Sequence, residues 1–144
     1  MQPGIEIPQK ISLAYSAMCK PLCRELDIPQ TAFDILMFLG NNPAYKTARD
    51  VVELRHIKAN LVSVNVDRLV REGYLLRSQP PGDRRKTELF CTEKAQPILE
   101  RGRQLQAAFL RQLFANTDGE AQETFFQVLR IIGENSDQIL KEHP

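Results

Sequence analysis

Apolar residues recur at steps of three and four along most of this chain, which is the period of an amphipathic helix. The first such run extends from Lys10 to Leu26. Pro21 lies within it, and because the pattern resumes beyond the proline, we expect a bend there rather than an end. A break at residues 27–29 precedes a short, strongly apolar helix around Phe33–Leu39, which the Gly-Asn-Asn-Pro stretch at 40–43 is predicted to close.

The next segment has the pattern of two short helices with a tight connection. Thr47 is predicted to cap the first helix, which ends at Leu54, and the second runs from Ala59 to about Glu72, where Gly73 stops it. The predicted buried positions are Ala48, Val51, Val52 and Leu54 on the first helix and Val62, Val66 and Leu69 on the second. Such a pair is typical of a helix-turn-helix.

Two short strands are predicted next, at residues 74–79 and 87–91. The residues between them at 80–86 read Pro-Pro-Gly-Asp-Arg-Arg-Lys, which places three cations at the tip of a hairpin. Helix, turn, helix and a hairpin with a basic tip, in that order, predict a winged helix-turn-helix. The wing would carry these cations to a phosphate-lined groove.

Two long helices are predicted to end the chain. Thr92 would cap the first, Pro97 would kink it near its second turn, and the apolar pattern continues to Asn116. After a turn at 117–119, the last helix is apolar over a wide face. A winged helix is too small to cover both helices, which implies either a partner chain or an extra layer. The symmetric homodimer is the commoner solution and is the one that we predict. The predicted dimer seam includes Phe109, Leu113, Phe125, Leu129 and Ile132.

The composition, with 42% apolar and 26% charged residues among 144, fits one globular domain. No run approaches the roughly 18 apolar residues of a membrane span, and the first residues do not resemble a signal peptide, so we expect a cytoplasmic protein. The three cysteines have no zinc-like spacing, and neither a metal nor another cofactor is predicted. The net charge of +1 hides a segregation, because residues 46–86 hold ten Lys/Arg and five Asp/Glu. This basic segment would attract a polyanion.

Three stretches taken together are fairly specific: Val-Asp-Arg-Leu-Val-Arg-Glu-Gly-Tyr-Leu at 66–75, Gly-Asp-Arg-Arg-Lys at 82–86 and Leu-Phe-Cys-Thr at 89–92. With the order of segments along nearly the whole chain, they resemble the multiple-antibiotic-resistance regulator (MarR) family of bacterial transcription factors. The resemblance implies a mainly α fold in one domain at 1–144. A winged helix-turn-helix lobe with a two-stranded wing would lie at 29–92, between dimerisation helices at 5–28 and 93–142.

The resemblance also implies a function. The chain would be a homodimer that binds a pseudo-palindromic operator in double-stranded DNA. A cleft between the dimerisation helices and the winged lobes would accept a small-molecule effector, which makes a ligand-responsive repressor the expected activity.

In the wing of this family, a carboxylate holds an arginine that points into the minor groove, and Asp83 and Arg85 match that pair. Arg84 and Lys86 would flank it as phosphate contacts. The complete set of predicted DNA-contacting residues is Thr47, Lys58, Asn60, Ser63, Val64, Arg68, Asp83, Arg84, Arg85 and Lys86.

The recognition helix departs from the family at one position. Ser63 matches a residue that meets the major groove, but the following position, often Arg in the family, is Val64 here. A valine can touch a thymine methyl and cannot read a guanine. Asn60 and, after it, Asn65 are therefore the remaining candidates for hydrogen-bonded base readout.

Other functions stay open at this point. A winged helix can also serve as a protein-interaction module without specific DNA binding, although the basic wing argues against this. Cys19 and Cys23 lie four residues apart on one helix face, and one branch of the family senses hydroperoxides through a first-helix cysteine, so a redox-sensing regulator is a further hypothesis. Burial of both thiols is the simpler interpretation. No catalytic triad, phosphate-binding loop or HExxH motif appears, so no enzyme is predicted.

Overall fold

A computed structural model of the chain describes residues 3–144. The elements in chain order are α1 (Pro3–Leu26), α2 (Gln30–Asn41), α3 (Ala48–Arg55), α4 (Ala59–Arg71), β1 (Leu75–Ser78), β2 (Glu88–Cys91), a 3-10 turn (Glu93–Ala95), α5 (Gln96–Leu113) and α6 (Gly119–Glu142). The two strands form one antiparallel sheet. The predicted mainly α fold with a two-stranded wing is therefore confirmed. No helix in the described range is long and apolar enough to cross a bilayer.

The chain divides into two compact units. The first extends to Phe109 and holds α1 to α4, the wing and most of α5, whereas the second is Leu110–Pro144 and holds α6. The second unit begins within the last turn of α5.

The first two helices differ from their predicted bounds. Helix α1 begins at Pro3, well before Lys10, and it continues past Pro21 to Leu26, so the prediction that this proline does not end the helix is confirmed. Helix α2 ends at Asn41, so the prediction that residues 40–43 close it is confirmed. Asn42 caps this end, and its backbone N–H and side-chain amide both donate to the carbonyl of Phe38, at 3.0 and 2.9 Å.

Strong end signals delimit the helix-turn-helix. The Thr47 hydroxyl accepts from the Asp50 N–H and the Asp50 carboxylate accepts from the Thr47 N–H, both at 3.1 Å, which forms a capping box at the start of α3. After α4, Gly73 has a φ of +86°, and the N–H groups of Gly73 and Tyr74 donate to Val70 and Leu69 at 3.1 and 2.9 Å. This is a Schellman motif, so the predicted stop at Gly73 is confirmed.

The predicted inner face is correct for α4 and partly wrong for α3. Val62, Val66 and Leu69 are all buried, as predicted. On α3 only Val51 is fully buried, and Leu54 is 46% exposed. At 3.6 residues per turn, Ala48, Val51 and Val52 share one side of the helix, whereas Leu54 lies well off that side.

The wing is attached to the helix-turn-helix through the backbone. In the hairpin, Leu75 pairs with Cys91 and Ser78 with Glu88. The N–H of Leu89 donates to the carbonyl of Lys46 at 2.6 Å, so the segment that precedes α3 lies alongside β2. The start of α3 and the base of the wing are thereby fixed to each other.

The segment that leads into α5 differs from the prediction at two residues. Thr92 takes the N-cap position of the 3-10 turn before α5, but its hydroxyl makes no cap hydrogen bond and donates to the Gly73 carbonyl at 2.6 Å. Pro97 is the second residue of α5, not part of its second turn. A proline in the first turn removes no intrahelical hydrogen bond, so the predicted kink has no cause there. Helix α5 ends at Leu113, short of Asn116, which adopts a left-handed φ of 65°.

The core of the first unit gathers apolar side chains from every element it contains. Helix α2 lies at its centre, with Phe33, Ile35 and Leu36 fully inaccessible to solvent. Helix α5 approaches α2 so closely at Gly102 that a Cβ there would overlap the side chain of Met37. This close packing holds the helix-turn-helix and the wing on one rigid support.

The second unit is built around aromatic contacts. The Asp118 carboxylate caps α6 by accepting from the Ala121 N–H at 2.7 Å, so the predicted turn and cap at 117–119 are confirmed. The rings of Phe114, Phe125 and Phe126 pack together with centroids 5.3 to 5.5 Å apart. No side chain of α6, all of which the structure describes, is buried, and Ile132 and Leu140 are 51% and 59% exposed.

Candidate nucleic-acid interface

Helix α4 presents a small, mostly uncharged surface to solvent. His56 reverses the chain between α3 and α4 in a left-handed conformation with φ of +53°, and Lys58 follows at the position before α4, with its side chain exposed. The first two turns of α4 then expose Asn60, Ser63 and Val64. These are the positions from which a recognition helix contacts base edges.

Asn65 does not belong to this surface. It is buried, and its side-chain amide donates to the carbonyl of Leu61 at 2.8 Å, one turn earlier in the same helix. Because its side chain points into the protein, Asn65 is excluded as a candidate for base readout. Asn60 and Ser63 remain as the polar, exposed members of the predicted set on α4.

Arg68 is held against the protein. Its guanidinium donates to the Glu72 carboxylate at 3.0 Å and to the backbone carbonyl of Asp27 at 2.8 Å, and the side chain is half-buried. These bonds tie the C-terminal part of α4 to the end of α1. Arg68 lies one turn after Val64, but its guanidinium is engaged by the protein itself, which gives this residue a supporting position.

Thr47 is likewise a structural residue at the edge of the interface. Its hydroxyl and its N–H are both used in the capping box with Asp50. Burial acts to raise the pKa of Asp50. The net pKa is nevertheless lowered, because the carboxylate accepts hydrogen bonds from Thr47 and from the Lys46 N–H, and the positive charge of Lys86 lowers it further. Lys86 thus lies close enough to the start of α3 for its charge to act there.

The tip of the wing is a backbone turn stabilised by Asp83. Gly82 has a φ of +84°, which glycine adopts without strain, and the Asp83 N–H donates to the Pro80 carbonyl at 3.2 Å. The Asp83 carboxylate accepts the backbone N–H of Arg85 at 3.0 Å. Asp83 therefore holds Arg85 through its backbone and orders the loop in an Asx-type turn.

A second contact stabilises the wing, and no local sequence pattern predicts it. The guanidinium of Arg77 on β1 forms an ion pair with the Asp67 carboxylate on α4. Both residues are exposed and lie beside the residues predicted to contact DNA. The pair links the recognition helix directly to the wing, and it removes Asp67 as a free negative charge.

All five acidic side chains of residues 46–86 are engaged. Glu53, Glu72 and Asp67 pair with arginines, while Asp50 and Asp83 accept backbone N–H groups. Among the ion pairs in the described range, none involves the basic residues Arg55, Lys58, Arg71, Arg84, Arg85 or Lys86. The cations of the wing tip are all exposed, and because residues 46–86 hold ten Lys/Arg against five Asp/Glu, this face keeps a net positive field.

A cavity of about 660 Å³ lies behind this face in the same unit. It is bounded by the second half of α1, the start of α2 and Arg68, and its basic lining residues are Lys20, Arg24 and Arg68. Ser16 and Gln30 add polar groups, and the Gln30 amide donates to the Ser16 hydroxyl at 3.0 Å. Asp27 is the acidic residue of the lining, so the three cations are in excess, and the size and charge of the cavity suit a small organic anion.

The cysteines are placed as core residues. Cys19 and Cys23 are both buried and free. Burial raises the pKa of the Cys19 thiol and raises that of Cys23 to about 11. Because the thiolate is the reactive form, these surroundings disfavour oxidation by peroxide and favour the interpretation of both residues as small hydrophobic side chains.

Comparisons with known proteins support the same fold. Residues 26–86 match the model of the MarR family. YkoM of Bacillus subtilis (strain 168), described as an uncharacterized HTH-type transcriptional regulator, is 26% identical over 110 residues, which cover 76% of this chain and 71% of YkoM.

Solved structures are similar over most of their length. The MarR protein from Peptoclostridium difficile has a TM-score of 0.83 at 17% identity, with 95% of this chain and 89% of that chain covered. A mutant MarR from E. coli complexed with operator DNA has a TM-score of 0.72 at 20% identity, with 91% and 94% covered. The present chain thus shares its winged helix-turn-helix fold with these proteins, one of which was solved in complex with operator DNA.

Proposed function

We propose that this chain is a MarR-family transcriptional regulator that binds a specific site in double-stranded DNA as a homodimer, a proposal supported by the match of residues 26–86 to the MarR family model and by the shared fold. The single observation that carries the proposal is the combination on one unit of an exposed α4 surface with a wing whose cations have no acidic partner. Helix α4 enters the major groove, and the wing reaches the adjacent backbone and minor groove.

The roles of the residues follow from their positions. Lys58, Arg84 and Lys86 neutralise phosphates, because they are exposed cations at the edges of the α4 surface and on the wing. Arg85 enters the minor groove, where the electrostatic potential is most negative. Asn60 and Ser63 hydrogen-bond to base edges in the first turns of α4.

The dimer is formed by the terminal helices. Helix α6 has no buried side chain, although it carries Phe125, Leu129 and Ile132, and contiguous apolar surface of this kind marks an interaction site. A two-fold interface places two α4 helices about one helical turn of DNA apart, roughly 34–36 Å, so the operator is pseudo-palindromic.

Sedimentation equilibrium at micromolar concentration tests the dimer. We expect a species of twice 16.5 kDa. Replacing Leu129 and Ile132 by aspartate should shift this species toward the monomer, whereas Gln127→Asp, an exposed change on the opposite face of the same helix, should not. A folded monomer for the unaltered chain would contradict the proposal.

Regulation would use the basic cavity of the first unit. A small anion bound among Lys20, Arg24 and Arg68 would change the contact of Arg68 with Asp27 and hence the position of α4 relative to α1. We expect such a ligand to lower DNA affinity, which makes the chain a ligand-responsive repressor.

Binding-site selection from a random duplex library tests DNA recognition. We expect a two-fold consensus, and titration of the selected duplex should show a steep salt dependence, about 0.9 in log affinity per log salt for each phosphate neutralised. Because Arg84 and Lys86 occur twice in a dimer, their joint replacement by glutamine should reduce the slope by roughly 3 to 4. Lys141→Gln, which changes an exposed lysine near the end of α6, is the matched control and should leave the slope unchanged.

The protein-interaction alternative predicts the opposite result. A chain that uses its wing only to dock on a protein would yield no consensus, and its DNA affinity would not depend on sequence. That outcome would overturn the proposed function.

A further inference from the structure

We propose that helix α4 reads its DNA site chiefly through apolar contact with the C5-methyl groups of thymines, with Val64 as the main contact and Leu61 beside it. This inference rests on the proposed function, since it concerns how the same surface discriminates between sequences. It assigns to two apolar side chains the specificity that a recognition helix ordinarily obtains from arginine or lysine.

Helix α4 has no cation at the positions from which a recognition helix reads guanine. Between Lys58 and Arg68, the residues of α4 include no Lys or Arg. Arg68 is occupied by Glu72 and the Asp27 carbonyl, and Asp67 is paired with Arg77. The commonest specific contact, an arginine or lysine bidentate to guanine, is therefore not available from the first two turns.

Two apolar side chains of α4, Leu61 and Val64, lie exposed on the same surface. Leu61 and Val64 are three residues apart, so they are neighbours on one helix face. They are 45% and 65% exposed, although the opposite face of the same helix is fully buried at Val62, Val66 and Leu69. In an isolated lobe, exposure of two large aliphatic side chains at the centre of the DNA-facing surface is unfavourable unless a partner covers them.

Exposed cations flank Leu61 and Val64 along α4. Lys58 lies one turn before Leu61, and Arg71 lies two turns after Val64, and both cations are exposed. A surface with cations at its ends and aliphatic groups at its centre matches the major groove at an A·T pair. Phosphates line the two edges of the groove there, and the thymine methyl is its one apolar group.

The physical consequence is a preference for thymine at defined positions. When a thymine methyl packs against Val64, the apolar surfaces of the methyl and of the valine are both removed from water. Each such contact should strengthen binding about fourfold. Asn60 and Ser63 can add hydrogen bonds to adenine at neighbouring positions. We therefore expect half-sites in which at least one T·A pair is required for its methyl group.

The experiment uses the full-length protein and the duplex obtained by binding-site selection. Each thymine of one half-site is replaced in turn by deoxyuridine, which removes the methyl and keeps every hydrogen-bonding group. We expect about fourfold weaker binding at one or two positions. Deoxyuridine in the flanking sequence serves as the DNA control and should have no effect.

Two variants assign the effect to a side chain. Val64→Ala should bind the thymine duplex more weakly and lose its sensitivity to deoxyuridine at the position concerned. Ser63→Ala should keep that sensitivity. Because Val64 is largely exposed, thermal unfolding of Val64→Ala should match that of the unaltered chain, which separates a contact effect from a folding effect.

Each outcome decides the proposal. Unchanged affinity for every deoxyuridine duplex would overturn the methyl readout and leave the proposed function intact. An equal loss for the unaltered chain and for Val64→Ala would mean that duplex shape is sensed, which also overturns the assignment. A library that yields no duplex would overturn both, because no sequence-specific site would exist.

Discussion

Asp83 allows the electrostatic and the structural contribution of one wing residue to be separated. Its charge repels DNA phosphates, whereas its carboxylate orders the wing by accepting the Arg85 N–H at 3.0 Å. Asp83→Asn removes the charge and keeps an oxygen acceptor at the same place. Asp83→Ala removes both. The two variants therefore differ in the hydrogen bond alone.

The expected magnitudes follow from these two contributions. An exposed hydrogen bond that orders a loop contributes about 0.5–1.5 kcal/mol net. A unit charge about 7 Å from one phosphate in water interacts with it by roughly 0.6 kcal/mol, less after salt screening. Asp83→Asn should thus bind DNA up to about threefold more tightly than the unaltered chain, and Asp83→Ala about fivefold more weakly than Asp83→Asn.

Fluorescence anisotropy titration of one selected duplex at fixed salt measures these differences. Asp137→Asn and Asp137→Ala, at an exposed position of α6, form the matched pair of controls and should bind equally. Binding by Asp83→Ala as tight as that by Asp83→Asn would refute the reasoning, because it would show that the turn contributes nothing and that only the charge acts.

The local part of the fold could be predicted because its signals are local. The inner face of α4 follows from the spacing of Val62, Val66 and Leu69, and its end follows from Gly73, the residue best suited to a positive φ. The cap at Thr47 needs only Asp50, three residues later. Each of these features depends on residues within about one or two helical turns.

The errors concern side chains whose hydrogen-bond partners the spacing of apolar residues does not indicate. Arg68 bonds to the carbonyl of Asp27, which adopts a left-handed conformation that no pattern predicted. The Thr92 hydroxyl, after the second strand, bonds to the carbonyl of Gly73, 19 residues earlier and before the first strand. A polar residue on a helix can face solvent, a partner or its own backbone, and the periodicity of apolar residues does not distinguish these cases. Asn65, which bonds to its own helix, is the clearest example.

Three further predictions concern the support of the interface. A double-mutant cycle of Asp67→Ala and Arg77→Ala, read by urea unfolding, should give a coupling of about 0.2–1 kcal/mol, because the pair is exposed, and a larger coupling would contradict this. Cys19 and Cys23 should react slowly with a thiol reagent in the folded protein and rapidly in urea, and equally fast labelling would refute their burial. The last prediction concerns Asp34, whose pKa burial raises to about 6 against the attraction of the Arg55 guanidinium. Since the unfolded chain loses this proton near pH 4, the folded state binds more protons between about pH 4 and 6, and stability falls as the pH rises through that window. Asp34→Asn should therefore stabilise the protein by about 1–2 kcal/mol at pH 7.5, a value reduced for partial exposure, and by nothing at pH 4. Urea unfolding at both pH values measures this, and an equal gain at both would show that the carboxylate is not protonated by burial.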